Sequence, residues 1–152
     1  MKLTLQKVRN CVIKIDGEVV CTIENGILCF IGFHKNDKDG DADFIARKAL
    51  NMCYWPAEDD TPWKRGVMDV GGDVIVVSEP GLLASVDFDN KPSFEDVMNE
   101  AETSVMYNKL VDKMKRSYRP EKVHAVPVGK KTLEFINDGP LTLSIDSYRR
   151  RD

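Results

Sequence analysis

The sequence predicts an α/β protein with a mostly antiparallel sheet and two main helices. Three observations carry this expectation. Residues 2–23 alternate apolar and polar around Asp16-Gly17, a dipeptide that closes tight hairpins because both positions accept positive φ. Residues 27–33 and 74–77 are apolar almost without interruption, which suits strands covered on both faces. Two longer stretches, 42–52 and 93–118, repeat apolar residues at three-to-four spacing.

In chain order, the hairpin leads to a second turn at Asn25-Gly26 and then to the apolar strand 27–33. Residues 34–40 are a polar loop. The helix over 42–52 takes its cap from Asp39 or Asp41 and turns Ile45, Ala49 and Met52 to one face. Cys53-Tyr54-Trp55 reads as a short strand that Pro56 ends, and 57–66 as a polar loop. Within that loop Trp63 either packs structurally or stacks on a nucleotide. Residues 78–82 follow strand 74–77 directly, and a loop at a strand end is a usual place for active groups. Ser93 and Asp96 have capping-box spacing at the start of the long helix, whose apolar stripe is Val97, Ala101, Val105, Leu110 and Met114. Tyr118-Arg119-Pro120 ends it. Strands over 122–126, 132–136 and 141–145 complete the sheet, and 148–152 reads as a frayed tail.

A chain of 152 residues is long enough to bury a core without staples, and residues 1–152 read as one domain. The formal net charge of −3 excludes a protein that grips nucleic acid by bulk electrostatics. An RNA would need a local basic face. Lys64-Arg65, the group Lys109, Lys113, Lys115, Arg116 and Arg119, Lys130-Lys131, and Arg149-Arg150-Arg151 offer one, and each also reads as ordinary solvated surface. No apolar run reaches the roughly 18 residues of a membrane span, and the N-terminus lacks a secretory block. Cys11, Cys21, Cys29 and Cys53 show no metal-ligand or redox spacing, so the expectation is reduced thiols, a cytoplasmic protein and no metal.

Side-chain catalysis has little to build on. His34 and His124 are the only histidines, and neither lies in a nucleophile motif. A triad through Ser78 is open by chain order, yet Ser78 lacks the Gly-x-Ser-x-Gly elbow. Glu79 reads equally as a general base and as an exposed loop carboxylate. No Walker loop or Gly-x-Gly-x-x-Gly stands in the chain, so nucleotide-cofactor chemistry is not supported and no cofactor is expected.

The most distinctive stretch is Asn137-Asp138-Gly139-Pro140-Leu141-Thr142, set between apolar strand-like residues. Taken alone it reads as a tight connection between two strands. It also resembles the Gly-cisPro signature of the D-aminoacyl-tRNA deacylases, formerly called D-tyrosyl-tRNA deacylases. Three further stretches stand in that family's order: residues 26–33, residues 71–78, and Lys91-Pro92-Ser93-Phe94. One loop departs: where the family reads Ser-Gln-Phe-Thr-Leu, this chain has Ser78-Glu79-Pro80-Gly81-Leu82.

The resemblance implies a barrel-like sheet, a homodimer, and hydrolysis of the ester of D-aminoacyl-tRNA or glycyl-tRNA. It implies that Gly139 and Pro140, braced by Asn137 and Thr142, enter the partner's pocket and reject L side chains. Loop 78–82 is implied to line that pocket, with backbone amides supporting the oxyanion. In this loop Pro80 has no N–H to give. The alternative from another class is a non-catalytic paralogue that keeps the dimer and binds tRNA.

Overall fold

The computed structural model describes residues 1–149. Its elements are strands β1 (Lys2–Ile15), β2 (Glu18–Ile23) and β3 (Gly26–Gly32), helix α1 (Asp39–Asn51), strands β4 (Asp73–Ser78), β5 (Ser85–Val86) and β6 (Pro92–Ser93), helix α2 (Glu100–Ser117), and strands β7 (Val123–Ala125) and β8 (Thr132–Asp146). The main sheet runs β2-β1-β3-β4-β7, with β8 on the free edge of β1. β1 pairs antiparallel with β2, β3 and β8, whereas β3, β4 and β7 are parallel. The sheet is therefore mixed, with the longer ladders antiparallel. The connections β3-α1-β4 and β4-α2-β7 supply the crossovers that parallel neighbours require.

The sheet curls into a nearly closed, barrel-like wall with a core on each side. On the outside, Leu3, Leu5, Ile27, Cys29, Ile31, Val74 and Val76 meet Ile45 and Ala49 of α1 and Leu110 and Met114 of α2. On the inside, Val8, Cys11, Ile13, Ile23, Leu28, Ile75, Val77 and Val126 form a second cluster. The apolar runs of β3 and β4 thus face packed residues on both sides. Asp16 and Gly17 close the first hairpin with φ of 50° and 83°.

Several sequence expectations need correcting. β8 is one strand, not two joined by a turn: both halves pair with β1 in the same direction. Helix α2 starts at Glu100, where Asn99 accepts from the Glu102 N–H at 2.9 Å, instead of at Ser93. Ser93 pairs with Ser85 in the β5–β6 ribbon, and Met98 N–H bonds Phe33 O, so this segment is held against the end of β3. The expected stripe is not one face: at 3.6 residues per turn, Ala101 and Val105 lie about half a turn round the helix from Leu110 and Met114. Leu110 and Met114 stay buried beside Tyr107 and Val111, but Ala101 and Val105 face outward.

At α1 the cap is Lys38. Asp41 accepts from the Lys38 N–H at 2.9 Å, so its role is that of the third helical residue. Residues 53–55 reduce to a single bridge from Trp55 to Arg65. Trp63 is 58 % exposed, contrary to a packing role. Residues 147–149 form a 3-10 turn tied by Ser147 N–H to Met1 O; the remainder of the expected tail lies outside the described residues. All four thiols are free, and burial pushes that of Cys11 up to about 11. No helix among the described residues is long and apolar enough to cross a membrane.

Tyr107 joins α2 to β4 and to Val126, the residue after β7. Its hydroxyl accepts from Val126 N–H at 2.8 Å and lies 2.8 Å from Val76 O and 3.0 Å from Val126 O. Tyr107→Phe removes these bonds and leaves Val126 N–H and Val76 O only the longer 3.3 Å bond that they make to each other. The expected loss is about 1–3 kcal/mol in urea denaturation. An unchanged midpoint would show that water or a shifted backbone replaces the hydroxyl.

Candidate active site

Parallel strands bring their C-terminal ends to one edge, and the largely apolar candidate cavity lies there. It holds about 340 Å³ and is lined by Phe33 beyond β3, Ser78 and Pro80 at the end of β4, Met98 and Thr103 around the start of α2, and Gly129 after β7. Its polar groups are few. The Thr103 hydroxyl is already bound to Met98 O at 3.1 Å.

The loop after β4 is built by local backbone chemistry. Glu79 N–H donates to Ile31 O at 2.8 Å, extending the parallel ladder by one bond. Pro80 opens a 3-10 turn over Pro80–Leu83, a position where its fixed φ fits and its missing N–H costs nothing. The Glu79 carboxylate folds over that turn and accepts from Gly81 N–H at 2.7 Å. Leu82 packs on Gly32, where an added Cβ would stand 3.1 Å from Leu82 Cβ. Of the loop amides that the resemblance implies as oxyanion donors, that of Gly81 is held by Glu79 and that of Glu79 by Ile31, and Pro80 has none. Of residues 78–82, Ser78 and Pro80 line the cavity, Glu79 and Gly81 do not, and Leu82 lines a separate depression with Phe44 and Ser144.

The Asn137–Thr142 motif is a bulge within β8. Val8 faces Asn137 and Gln6 faces Thr142, so residues 138–141 are looped out of the ladder. Asn137 clamps them. Its Oδ1 accepts from Leu141 N–H at 2.8 Å, while its Nδ2 donates to Gln6 Oε1 at 3.0 Å and lies 3.2 Å from Leu141 O and from Thr142 Oγ1. Asp138 binds Lys7 at 3.3 Å and Arg9 at 3.2 Å. The Gly139–Pro140 peptide is cis, and Gly139 has a φ of 154°. A Cβ on Gly139 would stand 2.7 Å from Leu141 N, so only glycine fits.

Bulge and cavity do not meet within one chain. Ser78 is in register with Ile31, Leu3 and, through Leu3, Ile145, whereas the bulge lies between the Gln6 and Val8 rows. Three strand spacings of about 4.8 Å and at least three residues of rise, about 10 Å, separate them.

The structure likewise separates the parts of a triad. His124 Nε2 lies 2.7 Å from Asp73 Oδ1, at the opposite end of β4 from Ser78. His34 faces Tyr148 and Asp96. Part of the candidate basic surface is engaged locally: Lys109 pairs with Asp39, Lys113 with Asp43, and Arg65 binds Pro56 O. Sequence reasoning missed Phe33, Met98, Thr103 and Gly129. The signal available for Gly129 was its place after a strand parallel to β4.

Asn137→Ala removes the acceptor for Leu141 N–H. Amide exchange at Leu141 should quicken about fivefold or more, from a loss of about 1 kcal/mol, while exchange at Leu3 and Leu5 stays unchanged. Equal protection in the variant would mean that the bulge is held by its ladder flanks alone.

Comparison with known proteins fits this geometry. A model of the family described as D-Tyr-tRNA(Tyr) deacylase matches residues 4–146. A D-aminoacyl-tRNA deacylase of Dictyostelium discoideum is 34% identical over 99% of this chain and 100% of its own. That of Plasmodium falciparum is 31% identical, covering 97% and 96%. Among solved structures, one titled c-Myc DNA Unwinding Element Binding Protein has a TM-score of 0.91 at 26% identity, covering 96% of this chain and 98% of its own. A probable eukaryotic D-amino acid tRNA deacylase superposes with a TM-score of 0.80 at 12% identity, covering 95% and 97%, which speaks for the fold alone. With its bulge, its strand-end loop and a family match over nearly its whole length, the chain belongs to the D-Tyr-tRNA(Tyr) deacylase family.

Proposed function

We propose that this protein hydrolyses the ester of D-aminoacyl-tRNA, and of glycyl-tRNA, in the cytoplasm as a single-domain homodimer. One subunit's Gly139–Pro140 bulge enters the partner's cavity at Ser78 and Pro80 and excludes L side chains by contact. The observation that carries this reading is that the chain has both a clamped, solvent-facing bulge and an apolar strand-end cavity, too far apart to serve one site without a second copy. Asn137 and Thr142 hold the bulge in shape, and residues 78–82 shape the cavity. The family's activity supports the reaction class. Rejecting an L side chain by a clash with fixed backbone requires no ionisable side chain at the selecting surface.

A second reading, a tRNA-binding paralogue without hydrolysis, is favoured by the engaged amides of Glu79 and Gly81 and the missing N–H of Pro80. Single-turnover hydrolysis of paired D- and L-aminoacyl-tRNA separates the two. The proposed function expects the D ester to be cleaved at least about tenfold faster than the L ester, a difference of about 1.4 kcal/mol. Binding of both with cleavage of neither would leave the paralogue.

The dimer is tested separately. Sedimentation at micromolar protein should give twice the chain mass. A monomer that still discriminates D from L would remove the cross-subunit role of Gly139 and Pro140.

A further inference from the structure

Val128 and Gly129 line the cavity together with Ser78 and Pro80, and a lysine is anchored to Gly129. Gly129 has a φ of 123° with open space around its Cβ position, so glycine is present for its backbone conformation. Lys131 Nζ donates to the Gly129 carbonyl at 2.6 Å. This holds an ammonium on the backbone of a residue that lines the cavity and leaves two of its three N–H groups uncommitted. Among the described residues Lys131 forms no ion pair, unlike Lys109 or Lys113.

Burial lowers the Lys131 pKa, and the Glu79 charge opposes that shift. The two side chains therefore sense each other across the loop that lacks free amides. Glu100 is the ionisable residue that lines the cavity itself, and Lys130 is next to Lys131 in the chain.

We propose that Lys131 is a catalytic cation that takes up the negative charge developing on the ester carbonyl oxygen, in place of the backbone amides of residues 79–81. This rests on the cavity being the ester site. In the step, the oxygen of water bonds to the carbonyl carbon and the ester C–O bond breaks. One of the water's two protons ends on the departing ribose oxygen, and the other stays on the new carboxyl group, which then ionises. Lys131 keeps its three protons throughout and acts by charge and hydrogen bonding. A cation fixed at the cavity edge is preorganised for this as an amide would be, and it makes the rate depend on its own protonation. Its folded-state pKa is lowered, so the active ammonium form is lost at a lower pH than for an exposed lysine. The rate should hold at neutral pH and fall on the alkaline side.

The test is single-turnover hydrolysis of D-aminoacyl-tRNA under excess enzyme, corrected for spontaneous hydrolysis, with the parent protein, Lys131→Gln and Lys131→Arg. Binding of a non-hydrolysable amide analogue of D-aminoacyl-adenosine is measured alongside, and melting curves check the fold. Lys131→Gln should lower the rate about a hundredfold with analogue binding little changed. Lys131→Arg should recover most of the rate and abolish the alkaline fall, because guanidinium stays protonated. Lys130→Gln, its exposed neighbour, should behave like the parent.

A parent protein that hydrolyses no aminoacyl-tRNA would overturn the ester-site reading itself. A parent that hydrolyses, with Lys131→Gln equally fast or defective only in binding, would overturn the role of Lys131 and leave the ester site standing.

Discussion

The β1–β8 ladder is the constraint on which the rest of the structure depends. β1 is paired along both edges, with β8 on one side and β3 followed by β2 on the other. It also contributes to both cores, which a regular strand of this sequence could not do. Leu3, Leu5, Cys11 and Ile13 all have odd numbers and in an unbroken strand would face one way. Leu3 and Leu5 lie under the helices, yet Cys11 and Ile13 lie with Val8 in the inner cluster. The reversal occurs at Arg9: Val8 faces Asn137 and Asn10 faces Ile136, so β1 carries one extra residue there. The looped-out residues of β8 follow immediately, and Arg9 reaches across to Asp138. One disturbance of one ladder thus bends the sheet toward closure and presents Gly139 and Pro140.

The cavity depends on the other half of the sheet. Because β3, β4 and β7 are parallel, the segments that leave them converge on one edge: Phe33, Ser78 with Pro80, and Val128 with Gly129. Tyr107 ties β4 to Val126, the residue after β7, through their backbone carbonyls. The result is a largely apolar recess whose polar surroundings are mostly committed, an environment in which a single uncommitted charge has greater effect than in water. At this strand end Pro80 offers no N–H, and the Glu79 carboxylate occupies that of Gly81.

Much of this architecture can be read from residues. The Asp16-Gly17 hairpin, the doubly covered strands at 27–33 and 74–77 and the two helices follow from turn chemistry and apolar period, which are local properties. The start of α2 was misplaced because Ser93 and Asp96 offer a legitimate cap. Pairing with Ser85 and the bond from Met98 to Phe33 claim that segment for the sheet edge instead. Trp63 was undecidable, since its exposure depends on how a loop without secondary structure lies.

By itself the sequence determined that residues 137–142 are special and that Pro80 cannot donate, because glycine's freedom and proline's missing N–H belong to the residues themselves. Only the tertiary structure decided that the same six residues are a bulge within one strand and not a turn between two. A turn and a bulge differ in which partner the second half finds, and that partner, Gln6 with its neighbours, is more than a hundred residues away. The same holds for the loop. Glu79 is an ordinary carboxylate in the sequence, and it is the fold of Pro80–Leu83 that brings the Gly81 amide under it. Gly129 and Lys131 gain their place for a like reason: parallel strands bring together chain segments that local patterning cannot relate.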